Sequence, residues 1–386
     1  MRHLVLRNAF YFLISAPGLA LGYNWPTKDW SVASPQSAGI DVREFEIFLN
    51  YTFPQGLDWA SREGVRTNSL IVIKDGLLVY EKYRAGFGAN KRHHTWSVSK
   101  LLANAFVGIA ERRGILNRKT PIQKYVSLKN EAAQKNLTVR DLLYWSSGFA
   151  WEESYEANPL RSSVLAMLYG PDAKSVGQFV ADFQLSHLPG DKESYSSGDT
   201  NLLSLTLRNA VSNDEEYWNF PWKELFDPLG IKTAVIERDE SGTFLLSSYV
   251  HMTPRDLAKI GLLYLNDGAW GDSRILPKGW VYDSTQLSPS FRKRAKGSHS
   301  TKPLRGMHLW TNREEASYNL HRPFPDVPAD MFAALGHWGQ SMFIIPSQRL
   351  IVVRMADDRD ESFDINRFLK LLLQSIASAS PKAAEQ

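Results

Sequence analysis

The amino-acid sequence predicts an α+β fold: an α/β sandwich in which an antiparallel sheet formed from the N- and C-terminal segments is flanked by helices, with a mainly helical domain inserted between them. Three observations point there. Paired β-rich runs joined by tight turns occur near both ends of the chain. The long middle carries helical periodicity instead. No stretch repeats at a period of about 20–50 residues, which sets aside solenoids and propellers.

Residues 23–40, rich in Trp, Pro and Ser, read as an extended lead-in. Val42 to about Tyr51 has the spacing of a short amphipathic helix. Ser69–Lys74 and Leu77–Tyr83 are β-rich and separated by Asp75-Gly76, a strong hairpin signal. From Ser97 the period changes. Val98, Leu101, Leu102, Ala105, Phe106, Ile109 and Ala110 recur at three and four, giving a helix with a broad apolar face that Gly114 ends. Thr138-Val139-Arg140-Asp141 resembles a capping box, opening a helix that stops near Gly148. Asp199 is placed to cap a helix starting near Asn201. Thr253-Pro254-Arg255-Asp256 opens a helix that runs to Gly268, with Pro at its first position. Ser341–Ile345 and Leu350–Met355 flank a Pro346-Ser347 turn as a second hairpin, and Phe363–Ile376 closes the chain as a helix.

Composition removes several classes of function. The 386 residues are 43% hydrophobic and 22% charged, enough for a well-buried core and unlike a disordered chain. Lys+Arg 45 against Asp+Glu 41 leaves a net charge of +4, without the basic stripe of a nucleic-acid binder. The cluster Arg292, Lys293, Arg294 and Lys296 lies among Ser, Pro and Gly and reads as a solvated loop. Without cysteine there is no disulfide, thiolate nucleophile or zinc ribbon. No H-E-x-x-H or carboxylate cluster has ligand spacing, so neither a metal nor another cofactor is expected. No run reaches the ~18 apolar residues of a membrane-spanning helix. Arg2 and Arg7 precede Ala9–Ala16, followed by Pro17-Gly18 and the small-x-small triplet Ala20-Leu21-Gly22. This is the order of a secretory signal peptide over residues 1–22, and it implies export to the periplasm or medium. A cytoplasmic chain with an ordinary N-terminal segment is the alternative.

Ser97-Val98-Ser99-Lys100 has the form S-x-x-K at the start of the apolar helix. Residues three apart share a helical face, so the Ser97 hydroxyl and Lys100 amine can meet. A serine is a poor nucleophile unless a base takes its proton, and a lysine is such a base only when burial lowers its pKa. Read alone, the same residues also describe a helix-capping serine followed by a surface lysine. A second S-x-x-K, Ser290-Phe291-Arg292-Lys293, belongs to the basic cluster. Two further features carry the argument. Tyr195-Ser196-Ser197 follows Pro189-Gly190 on a loop before a helix, and Gly336-His337-Trp338-Gly339-Gln340 sits at the edge of the C-terminal β region.

In this order and spacing the three elements resemble the serine β-lactamase and penicillin-binding-protein superfamily, whose motifs are S-x-x-K, Y-x-N or Y-x-S, and K-T-G or H-x-G. The likeness is closest to class C-like β-lactamases, esterases and the 6-aminohexanoate-dimer hydrolase group. Leu137–Gly148 (LTVRDLLYWSSG), Phe226–Ile231 (FDPLGI) and Leu262–Gly268 (LLYLNDG) are similar to further landmarks of that family, and the resemblance spans roughly residues 36–375. It implies an α/β domain from residues 23–96 and 331–386, a mainly helical domain over 97–330, and an active site where they meet.

The resemblance also implies roles. Ser97 is expected to be the acylated nucleophile, Lys100 its proton acceptor or electrostatic partner, and Tyr195 a phenolic acid/base. The backbone N–H groups of Ser97 and Gln340 are expected to form the oxyanion hole, with Gly339 letting the strand approach the substrate. Ser197, His337, Trp338 and Tyr155 are expected to contact substrate, Tyr155 by closing over a linear amide. Glu152 and Glu153 are placed to meet a cationic substrate end.

Three departures bear on substrate. His337 stands where β-lactamases mostly have Lys, Trp338 replaces a hydroxyl residue that would bond the β-lactam carboxylate, and Ser197 replaces the Asn that bonds the substrate amide. The expected substrate is therefore a small-molecule carboxylic ester or linear amide of the 6-aminohexanoate-oligomer type, with poor turnover of β-lactams. Two alternatives stay open: a β-lactamase or DD-peptidase, and a non-catalytic ligand-binding scaffold.

Overall fold

The computed structural model describes residues 25–294 and 304–378 apart from 157, 171–173, 316, 317 and 319. The expected signal peptide, residues 1–22, lies outside these. Asp41 caps the first helix, α1 (Val42–Thr52), by accepting from the backbone N–H groups of Arg43 and Glu44. Asp75 and Gly76 both take positive φ, 52° and 80°, and this tight turn pairs β1 (Thr67–Lys74) with β2 (Leu77–Tyr83).

The middle of the chain supplies α2 (Lys100–Arg112), α3 (Ser197–Ala210) and α4 (Pro254–Leu265). The strands β3 (Leu304–Arg305), β4 (Trp310–Thr311), β5 (Phe332–Leu335), β6 (Ser341–Ile345) and β7 (Leu350–Ala356) follow, then α5 (Ile365–Ser378). Seven strands form one antiparallel sheet in the order β2-β1-β7-β6-β5-β4-β3, so the two chain ends meet at the β1–β7 pairing.

Alternation along β1 divides the core into two layers. Leu70 and Val72 join Phe45 and Phe48 of α1 and Phe368 and Leu372 of α5 on one face. Ile71 and Ile73 join the larger core on the other face, which includes Leu257 and Ile260 of α4 and the apolar residues of α2 and α3. Among the described residues no helix is long and apolar enough to cross a membrane.

The structure differs from the sequence reading in several places. The sheet takes in β3 and β4, two-residue strands within the stretch expected to be helical, and α4 from that stretch covers β1, β6 and β7. Strands so short leave no alternation to read. The Thr138 capping box forms, but its helix ends at Leu143, and Trp145 then takes a positive φ of 51°. The helix expected near Asn201 starts at Ser197. Its cap is Ser196, whose Oγ accepts from the Asp199 N–H at 2.9 Å, and Asp199 lies in the first turn. Pro289–Arg294 is a short helix where a loop was expected.

Candidate active site

Ser97 and Lys100 are brought together by a change of helix type. Trp96–Ser99 is a 3-10 turn, and α2 continues from Lys100. The tighter turn places residues three apart almost in line. Ser97 keeps partial exposure, whereas Lys100 is 1% exposed. Lys100 Nζ is 3.0 Å from Ser97 Oγ, 3.0 Å from Ser197 Oγ and 2.7 Å from the Ser247 carbonyl oxygen. The Ser247 backbone is itself fixed, since its N–H donates to Asn201 Oδ1 at 3.2 Å. Burial pushes the Lys100 amine down to about 8, with the Glu153 carboxylate acting in the opposite direction.

Tyr195 completes the cluster. Its phenol is within reach of Ser97, which opposes the rise in its pKa, and Lys100 Nζ lies 4.9 Å from its ring centroid. The ring stacks on Trp310 at 5.6 Å and tilts against Trp145 at 4.9 Å. Trp145 in turn stacks on the buried His308, whose two ring nitrogens meet Leu143 O and Thr200 Oγ1. Burial holds His308 neutral by pushing it down to about 3. Burial and the Glu153 charge raise the Tyr195 phenol well above its usual range, so it is protonated near neutral pH.

Glu153 occupies a position the sequence reading did not foresee. Its carboxylate accepts from Ser197 Oγ at 2.6 Å, from the Ser197 N–H at 2.8 Å and from Trp151 Nε1 at 2.6 Å. These bonds place a negative charge at the N-terminal end of α3, where the helix dipole favours it. Ser197 is 0% exposed and links Lys100 to Glu153, whereas a substrate-facing place had been expected. The segment after Ser147-Gly148 was recognisable in sequence. The direction of its carboxylate was not, because it depends on where α3 begins.

Tyr155 arrives at the same site. Its ring stacks on His337 at 5.2 Å, and its hydroxyl is within bonding reach of Ser197 and Ser248. Burial, with Glu153 adding to it, raises that phenol.

The third motif forms the turn between β5 and β6. His337 Nε2 meets Glu156 Oε1 at 2.9 Å, and the His337 ring touches Trp96 and Trp338 at centroid distances of 5.2 and 4.5 Å. Burial lowers the His337 pKa, with Glu156 opposing. Trp338 takes a positive φ of 56°, a strained conformation for a bulky residue. Gln340 is buried.

The sequence reading gave Gly339 the approach of the strand to substrate; in the structure both glycines of this turn sit in close contacts. Gly336 is the residue beside the nucleophile, for a Cβ there would lie 2.8 Å from Thr95 O and 3.2 Å from Ser97 N. At Gly339, φ is 84° and a Cβ would overlap the Asp358 carboxylate. Among the described residues no group of three or more His, Asp or Glu side chains is arranged to hold a metal ion.

The chain and its fold are similar to known proteins. The beta-lactamase family profile matches residues 53–374, and the chain belongs to that family. It is 25% identical over 222 residues to the 6-aminohexanoate-dimer hydrolase of Paenarthrobacter ureafaciens. That match spans 56% of this chain and 56% of the relative's length. In solved structures the fold is similar to a family VIII carboxylesterase, with TM-score 0.63 and 16% identity over 90% of this chain and 99% of the other. It is also similar to a penicillin-binding-protein homolog from Caulobacter crescentus, with TM-score 0.63 and 12% identity over 90% of this chain and 98% of the other.

Proposed function

We propose that the chain is a serine hydrolase that forms an acyl-enzyme on Ser97 and cleaves a carboxylic ester or a linear, 6-aminohexanoate-oligomer-like amide. The observation that carries this reading is the 3.0 Å contact between Ser97 Oγ and Lys100 Nζ, made by a lysine with almost no exposure. A solvated Lys would stay charged; this one is pushed down to about 8, so near pH 7 about a tenth of it is the free amine.

Lys100 takes the Ser97 proton as the alcohol attacks the carbonyl carbon. The backbone N–H groups of Ser97 and Gln340 receive the developing oxyanion. Tyr195, protonated and beside Ser97, gives its proton to the departing alcohol or amine and recovers one from Lys100. Water then enters by the reverse proton path and releases the acid.

The third motif argues against β-lactams. A β-lactam carries a carboxylate that needs a fixed cation, and here His337 is held toward its neutral form beside Glu156. Trp338 offers no hydroxyl. Tyr155 stacks on His337, and its proposed role is to close over a linear substrate.

Intact-mass spectrometry tests the reading after exposure to p-nitrophenyl butyrate, 6-aminohexanoate dimer and a penicillin. The expected result is an acyl mass from the ester or the amide, absent from Ser97→Ala. Near-normal hydrolysis by Ser97→Ala would sink it.

A further inference from the structure

The turn after β5 rests on a buried ion pair that the chemistry above does not use. Arg354, in β7, is 0% exposed. Its two terminal nitrogens bond both oxygens of Asp358, at 2.6 and 2.9 Å, and Nε donates to Thr67 Oγ1 at 2.8 Å. A further bond of 3.2 Å runs from Nη1 to the Gly339 carbonyl. The Asp358 N–H donates to the Trp338 carbonyl at 3.1 Å. From the other side, Gln340 Nε2 donates to the carbonyls of His337 and Trp338 at 3.1 and 3.2 Å, and to Ala356 O at 2.7 Å.

Stability alone does not account for these charges. A buried ion pair is often no better for stability than apolar residues of the same volume. What apolar residues cannot do is donate to the Gly339 carbonyl, next to the strained Trp338. That carbonyl belongs to the peptide plane that carries the Gln340 N–H.

We infer that Arg354, held by Asp358, is a positioning residue that preorganises the oxyanion-binding turn through the Gly339 carbonyl. This inference rests on the acyl-enzyme reading above. An oxyanion donor works only if it is already in place when the charge develops, so loosening the turn lowers turnover while leaving substrate affinity nearly intact.

The test uses the full chain with Arg354 and Asp358 replaced together, as Arg354→Met with Asp358→Leu, so that no unpaired charge is left buried. Ser97 is titrated to completion with a fluorophosphonate, and p-nitrophenyl butyrate kinetics are expressed per labelled site. The expected result is a kcat at least tenfold lower with KM within about threefold, and partial recovery in Arg354→Lys. A folded double variant with unchanged kcat per labelled Ser97 overturns the role of the pair. If the double variant does not fold, Arg354→Lys alone decides: a lysine cannot bond Asp358 through two nitrogens and reach Gly339 as well, so a lowered kcat per labelled Ser97 supports the role and an unchanged one overturns it. If Ser97 of the unaltered protein takes no probe, the acyl-enzyme reading itself fails, a result distinct from the first.

Discussion

The carboxylate of Glu153 receives both the hydroxyl and the backbone N–H of Ser197, at 2.6 and 2.8 Å. Because the same hydroxyl accepts from Lys100 at 3.0 Å, one hydroxyl separates a negative charge from the amine that is to serve as base. Glu153 favours the ammonium form of Lys100 and opposes the burial that lowers its pKa. Glu153→Gln removes that opposition, so Lys100 loses its proton at lower pH. The acid limb of the kcat/KM profile for p-nitrophenyl butyrate is expected to move to lower pH. A limb that stays in place would show that the charge of Glu153 does not reach the base.

On the acyl-enzyme reading, Lys100 sets the limb itself. With the amine pushed down to about 8, ester hydrolysis in the unaltered protein is expected to rise with pH and level off above that value. Lys100→Met is expected to cut turnover by about 10²–10⁴ and to flatten the profile. It also removes the donor held by the Ser247 carbonyl and Ser197 Oγ, so thermal melting is measured alongside. A profile unchanged in shape in Lys100→Met would assign the base elsewhere.

Much of this arrangement was legible in the sequence. Ser97, Lys100 and Tyr195, named from motif order and the family resemblance, lie together in the structure, and the Asp75-Gly76 turn and the Thr138 capping box were read from local chemistry. What stayed hidden depends on where distant elements land. Glu153 gains its role only once Ser197 becomes the first residue of α3, four positions before the expected start. Gly336 and Gly339 look interchangeable in sequence, yet one abuts the Ser97 backbone and the other the Arg354–Asp358 pair, contacts set by how the turn after β5 packs. β3 and β4 have two residues each and become strands only by pairing with each other and with β5.

Glu156 is expected to disfavour anionic substrates at the third motif. It lies 2.9 Å from His337 and would repel a substrate carboxylate arriving there. Replacing His337 by Lys and Trp338 by Thr is expected to improve penicillin acylation only modestly, because the new ammonium pairs with Glu156. Adding Glu156→Gln frees that cation, and the triple variant is expected to acylate at least tenfold faster than the double, a gap of about 1.4 kcal/mol. Equal acylation rates, read by nitrocefin competition, would remove Glu156 from the account.

Asp199 makes stability depend on pH near neutrality. Its carboxyl is 1% exposed and is pushed up to about 7 by burial, even though Ser147 Oγ donates to it at 2.7 Å. In the unfolded chain an aspartate ionises near ~3.9. Between those values the folded state holds a proton that the unfolded state has lost, so this group's contribution is fully present below about 4 and is lost as the pH rises through about 7. Asp199→Asn keeps an acceptor for Ser147 and carries no charge at any pH. The two proteins are expected to melt at similar temperatures near pH 4, and the variant to melt higher than the unaltered chain above pH 8. Parallel melting curves across that range would mean that Asp199 ionises in the folded protein as it does in water, and that the N-terminal turn of α3 offsets its burial in full.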